Sequence, residues 1–286
     1  MLAQKPSPVP AQKPFPAATR GTIEAALGRK GTPNPGGVLR FGFPRNDLQV
    51  TKSGITLRPA LALGSWVAFQ RIGDHAMVMG DLVLLESEVE SVLASLQENG
   101  VEQTALHNHL LGESPRVMYM HIHAIGNPAR IAKAIRTALE FTDTPLAPPA
   151  AAAASAIDLD TAAVSRVIGV HGKVSGGVYQ LSVPRREKIL IEKHEVPPSM
   201  GVATGINFQP TGAGKSAITG DFVLIGREVN PVIWELTQAG IQVTAIHSHM
   251  IDEQPRLYFM HFWANDDALK LAHGLRAALD RTASKK

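Results

Sequence analysis

The sequence predicts an α+β fold of two homologous domains, each a mainly antiparallel sheet with two to three helices, packed as a pseudo-dimer. Three observations predict it. The block TALHNHLLGESPRVMYMH at residues 104–121 returns as TAIHSHMIDEQPRLYFMH at residues 244–261, so that 247 answers 107, 253 answers 113 and 261 answers 121. Upstream blocks repeat in step: Gly80, Asp81 and Leu82 match Gly220, Asp221 and Phe222, and Pro44 and Arg45 match Pro184 and Arg185. Apolar periodicity alternates between strand-like and helix-like stretches within each copy. At 286 residues the chain accommodates two domains, each long enough to bury its own core.

The elements follow in order. Residues 1–20 are rich in Pro, Ala and Lys and read as a disordered lead-in, consistent with an export form whose signal peptide has been removed. The first repeat domain is assigned to residues 21–145 and opens with a short helix near 22–27 before the Gly36 and Gly37 turn. Strands follow at 38–43, near 48–57, at 66–71 and at 76–85. In the helix expected at 87–98, Val89, Val92, Leu93 and Leu96 share one face and Gly100 ends it. A hairpin of 103–111 with 116–125 comes next. A closing helix at 128–141 starts with Pro128 at its first turn after Asn127 as cap. Pro145, Pro148, Pro149 and an alanine run form a linker at 146–156. The second domain, 157–283, repeats the order.

Composition narrows the function classes. Hydrophobic residues make up 44% and charged residues 19%, with a net charge of +3 and no dense basic run. Neither nucleic acid binding nor a membrane span is expected. The absence of cysteine removes disulfides, thiolate ligands, a cysteine nucleophile and a lipidated cysteine. Gly212 to Ser216 resembles the end of a phosphate loop, but Gln209 stands where that loop needs glycine, and a hairpin turn is the better reading.

The chemistry points to the repeated His-x-His-x-x-x-Glu…His cluster. Alternation along a strand places His107 and His109 on one face, and the return strand brings His121 opposite them, with Glu113 in the turn between. His107, His109, Glu113 and His121, and equally His247, His249, Glu253 and His261, are candidate metal ligands. Imidazoles with a carboxylate suit a divalent ion, Zn(II) first, with Mn, Fe, Ni or Cu as alternatives. If all four bind Zn(II) tetrahedrally the site is closed; if one stays back, Glu113 or Glu253 is available as general base. Arg116 and Arg256 recur beside the cluster and are candidate anchors for a small anionic substrate, or ion-pair partners of the neighbouring glutamates. Asp81 and Asp221 are candidates to orient a ligand imidazole. His123 has Trp263 as its counterpart and is a weaker candidate, as are Arg45 and Arg185. Packing about a pseudo-twofold axis would let the two hairpins face one another across a shared cleft.

On the paired motifs TALHNHLLGESPR and TAIHSHMIDEQPR the chain resembles the family built around the conserved region of the mycobacterial lipoproteins LppY and LpqO. That resemblance covers both copies and implies a periplasmic or secreted bacterial protein, although this chain lacks a cysteine for a lipid anchor. The ligand set is also similar in outline to those of cupins and of acetolactate decarboxylase. The expectation is a metal-dependent enzyme, a lyase, decarboxylase or hydrolase acting on a small anionic substrate, as monomer or homodimer. The alternatives are a non-catalytic metal-binding or scavenging envelope protein that takes up free metal, and a duplicated interaction module.

Overall fold

A computed structural model describes residues 13–147 and 156–285, so residues 1–12 of the lead-in and 148–155 of the linker lie outside the described residues. The first half runs α1 (Ala17–Leu27), β1 (Thr32–Asn34), β2 (Val38–Pro44), β3 (Thr51–Lys52), β4 (Ile55–Thr56), α2 (Pro59–Ala62), β5 (Gly64–Ile72), β6 (His75–Leu85), α3 (Val89–Glu98), β7 (Glu102–His107), β8 (Val117–Gly126) and α4 (Pro128–Leu139). The second runs α5 (Thr161–Ile168), β9 (Lys173–Ser175), β10 (Val178–Pro184), β11 (Ile189–Ile191), β12 (His194–Val196), β13 (Ala203–Gly212), β14 (Lys215–Leu224), α6 (Gly226–Gln238), β15 (Gln242–His247), β16 (Tyr258–Asp267) and α7 (Ala268–Leu279). Each half is an antiparallel six-stranded sheet with the same strand order, β1-β2-β5-β6-β8-β7 and β9-β10-β13-β14-β16-β15. The α+β duplication predicted from the repeat is the observed architecture.

Most elements arise where local chemistry puts them. Asn127 caps α4 by accepting from the amides of Ala129 and Arg130, and Gly28 ends α1 in the left-handed region at φ 70°. Two differences from the sequence expectations matter. Helix α1 begins at Ala17, ahead of residue 22, directly after Pro16, whose carbonyl accepts from the Arg20 amide, and its Ile23 and Leu27 are fully buried. The stretch near 48–57 is no long strand. It is the two-residue pair β3–β4 turning at Ser53 and Gly54, both at positive φ, followed by the single turn α2, which sequence periodicity is too short to reveal.

One face of each sheet is covered by its own helices. Ile23, Leu27, Val92, Leu96, Ile131 and Ile135 pack on Phe41, Phe69 and Ile122 in the first half, and α5, α6 and α7 do the same in the second. The opposite faces are closed reciprocally. The arm carrying β3, β4 and α2 lays Leu57 and Leu61 against Val178, Ala217 and Trp263 of the second sheet. The arm carrying β11 and β12 lays Ile189, Ile191 and Met200 against Val38, Ala68 and Met77 of the first. Leu57, Leu61, Ile189, Ile191 and Met200, each exposed to 5% or less, contribute about 1.5–3 kcal/mol apiece. Hydrogen bonds repeat the exchange: Gln70 Nε2 donates to the Glu195 carbonyl, and the Arg58 amide donates to Gln209 Oε1.

The sheets' own close packing depends on glycine at Gly80 and Gly220, where an added Cβ would lie 2.7 Å from the Trp66 carbonyl oxygen and 2.0 Å from that of Gly205. A side chain there would push apart the strands that carry Asp81 and Asp221.

Arg45 and Arg185, weak site candidates by sequence, are structural. Arg45 is fully buried and donates to both oxygens of Glu88, to Asp47 and to the Val83 carbonyl. Arg185 repeats this with Glu228, Glu187 and the Val223 carbonyl.

Glu24 supplies a pH test. Hydrogen bonds from Lys30 and Arg20 hold its carboxyl down at about 2, against burial, which opposes them. A carboxylate with a lowered folded pKa adds stability that is present above its ordinary value near 4.5 and is lost as pH falls toward 2. Glu24→Gln should therefore flatten the stability-versus-pH curve across that window, by about 1 kcal/mol because both partners are partly or largely exposed. Chemical denaturation at pH 2.5 and pH 6 checks it.

Candidate metal centre

The two hairpins face one another, and their histidines interleave into one cluster. His107 ends β7 and His109 lies in the loop beyond it, not on the strand as alternation suggested; His247 and His249 repeat this at β15. His121 and His261 stand on β8 and β16. Rings from opposite halves stack in pairs: His107 on His247 at 3.5 Å, His109 on His261 at 3.7 Å and His121 on His249 at 3.6 Å between centroids. Tyr119 and Phe259 back the set, stacking on His109 at 3.3 Å and His249 at 3.5 Å.

A β-bulge in each edge strand positions the loops. The pairing register slips between Gln103 and Ala105 and again between Val243 and Ala245, leaving Thr104 and Thr244 unpaired on the bulges. A bulged residue is re-aimed out of the ladder. Here Thr104 Oγ1 donates to the His249 carbonyl at 2.6 Å, and Thr244 Oγ1 donates to the His109 carbonyl at 2.5 Å. Each half thus clamps the other half's histidine loop. The repeated Thr of the TALHNH and TAIHSH motifs was the available signal for this contact, but no single-copy argument assigns it.

All six imidazole Nε2 atoms are buried and make no hydrogen bond among the described residues. At three of them the Nδ1 side fixes the tautomer. His261 Nδ1 lies 3.0 Å from the Gly220 carbonyl and 2.6 Å from Asp221 Oδ1, so it carries the proton and leaves Nε2 a free lone pair. His107 and His247 turn Nδ1 toward the carbonyls of Asn108 and Ser248 at 3.4 and 3.3 Å, with the same consequence. Two ligand sets result, each with its nitrogens within 4.8 Å of one another: His107 with His247, His249 and His261, and His107 with His109 and His121. The first spans both halves.

Burial and the neighbouring rings disfavour the charged form of five of the imidazoles. His107 is pushed down to about 3 and His247 to about 4, and His109, His121 and His249 fall well below the ordinary histidine value, burial being the largest cause in every case. Asp81 sits 3.9 Å from the Nε2 atoms of His109 and His121, and burial with the Asp221 charge raises it well above the usual carboxylate range. Burial would raise Asp221 too, but His261 brings its carboxyl below that range. Of the two aspartates, Asp221 is the one that comes close to an Nδ1, that of His261, at 2.6 Å.

The other sequence candidates are placed elsewhere. Glu253 accepts from the Leu257 amide at 2.7 Å and lies 3.4 Å from Arg256, while Glu113 is buried with Oε1 making no hydrogen bond among the described residues. Neither carboxylate belongs to the two close ligand sets. Arg256 donates to the Ile251 carbonyl and Arg116 faces exposed Glu86 at 3.5 Å, so neither arginine is turned to the histidines. His123 pairs with Glu102 at 3.4 Å. The shared cleft is present: a cavity of about 1320 Å³ between the halves is lined at its floor by Asp81, His109, His121, Asp221, His249 and His261. Arg40, which sequence reasoning passed over, stands on its wall.

The family model described as "Domain of Unknown Function (DUF1259)" matches residues 21–141 and again 162–281, which corrects the LppY/LpqO resemblance. No curated protein matches the sequence. Among solved structures, the chain is similar to the trimeric bacterial microcompartment shell protein PduB, at 14% identity and TM-score 0.20 over 85% of this chain and 87% of that one. It is also similar to EtuB from Clostridium kluyveri, at 11% identity and TM-score 0.20 over 87% and 90%. Neither description names a metal-dependent lyase, decarboxylase or hydrolase, nor an exported protein. The expectations of such an enzyme, of an envelope scavenger and of a periplasmic or secreted location are corrected on that finding and set aside. At a TM-score of 0.20 the likeness carries no argument for a shell role either. No helix among the described residues is long and apolar enough to cross a membrane.

Proposed function

We propose that this chain, which belongs to the family described as Domain of Unknown Function (DUF1259), binds a divalent transition metal in one centre built jointly by its two repeats. The observation that carries this reading is the convergence of six buried Nε2 atoms without hydrogen-bond partners among the described residues. Burying a polar atom unpaired costs about 1–3 kcal/mol, and six together make a core that packing alone does not justify. Neutral imidazoles whose proton sits on Nδ1 offer the lone pairs that Zn(II), Cu(II) or Ni(II) take. Zn(II) remains the first choice, with nitrogen at about 2.0–2.1 Å.

Because one ligand set draws on both halves, an ion there would hold the repeats together, and binding to the folded state alone would raise stability. Reconstitution with Zn(II), dialysis and elemental analysis tests the proposal. At least one ion retained per chain is expected, with a higher unfolding temperature than for chelator-treated protein. Failure to retain Zn(II), Cu(II), Ni(II), Mn(II) or Fe(II) would overturn it.

A further inference from the structure

The duplication supplies an internal control for the cavity wall. Arg40 on β2 and Gln180 on β10 are counterparts, and both line the cavity. Each also makes the same bridge to the opposite half's arm: Arg40 Nη1 donates to the Ser199 carbonyl at 2.9 Å, and Gln180 Nε2 donates to the Ala60 carbonyl at 2.8 Å. A neutral amide is therefore sufficient for the structural bond, and the positive charge of Arg40 is surplus to it.

That charge is held rigidly. The guanidinium lies over the Trp66 ring at 3.9 Å, and the ring's far edge abuts Gly201, where an added Cβ would come within 2.8 Å of Trp66 Cη2. A guanidinium offers five N–H donors in a planar fork, and Arg40 makes one hydrogen bond and no ion pair among the described residues. Of the other charged groups lining the cavity, Lys188 is paired with Glu195 at 2.6 Å, Lys173 is exposed, and Asp81 and Asp221 lie beside the histidines. Stacking fixes the fork's plane and leaves donors for a planar or tetrahedral oxyanion, the geometry arginine matches in two-point contacts.

We propose that Arg40 anchors a small oxyanion, a carboxylate or phosphate group, in the cavity between the repeats. This wall position is charged in the first repeat only, since its pseudo-equivalent is the uncharged Gln180, while Asp81 and Asp221 add carboxyl groups to the same lining. The competing role for Arg40 is to face the buried Asp81, which lines the same cavity.

Calorimetric titration with malonate and with inorganic phosphate, on chelator-treated and Zn(II)-loaded protein, separates these roles. Malonate binding alone identifies a carboxylate, and phosphate binding alone a phosphate. In either case Arg40→Gln should weaken binding about tenfold to a hundredfold, the worth of a hydrogen bond to a charged group. Because Gln is what the second repeat carries, that variant should keep the fold and the Ser199 bridge. Arg40→Lys should fall between the two. Heats that are absent for both anions, or unchanged in Arg40→Gln, would overturn the proposal, the latter leaving Arg40 only to face Asp81. The chelator-treated arm does not depend on the metal centre, so failure of that centre would show separately.

Discussion

Glu88→Leu should destabilise the protein by about 3–5 kcal/mol, the range for breaking a buried ion pair by removing one partner. Arg45 is fully buried, and two of its donors would lose their acceptor at 2.7 and 2.9 Å. Glu88 does more than pair. Its Oε2 accepts from the Leu85 amide at the start of the helical turn, and its Oε1 accepts from the Asp143 amide, pinning the segment that leaves the first domain. Asp47 would remain against Arg45 and keeps the loss from being larger. Glu228→Leu should cost as much, because Glu228 holds Arg185, the Ile225 amide and the Ala283 amide in the same way. Arg116→Ala, at an exposed ion pair, should stay within about 0.5 kcal/mol and serves as control. Urea unfolding with unchanged m-value reads all three.

The second large effect is expected at His107. It belongs to both close ligand sets, one with His109 and His121 and one with His247, His249 and His261. His107→Ala should therefore lower Zn(II) retention for the centre as a whole, beyond the share of a single half. His109→Ala should weaken only the set confined to the first half. If each repeat held its own independent ion, His107→Ala would leave retention by His247, His249 and His261 intact, and equal losses from the two variants would count against a joint centre. Thr104→Val offers a control on loop placement, since it removes a bond to the His249 carbonyl without touching a ligand nitrogen.

Much of this was legible in the sequence because it is local or repeated. The duplication announced two like domains, Asn127 and Gly100 marked helix ends, and His-x-His with a third histidine on the return strand singled out the six imidazoles. The pseudo-dimer arrangement, with hairpins face to face, followed from duplication.

What stayed hidden is non-local. That His107 stacks on His247 depends on how two sheets meet, and no spacing within one repeat encodes it. The arms that cross between halves are short strands and one helical turn, too brief for periodicity to register. Glu113 and Glu253 looked like ligands by spacing, but the turn directs Glu253 to the Leu257 amide. Arg40 and Arg45 carry the same charge five residues apart, and only burial among acceptors tells a structural arginine from one facing a cavity.

X-ray absorption at the zinc edge of the reconstituted full chain tests the joint centre most directly. The account predicts a nitrogen shell at about 2.0–2.1 Å with outer-shell scattering from several imidazole rings, diminished in His107→Ala and also in His261→Ala, which lies in the other half. A shell dominated by carboxylate or water oxygen, or one unaltered by either substitution, would contradict it.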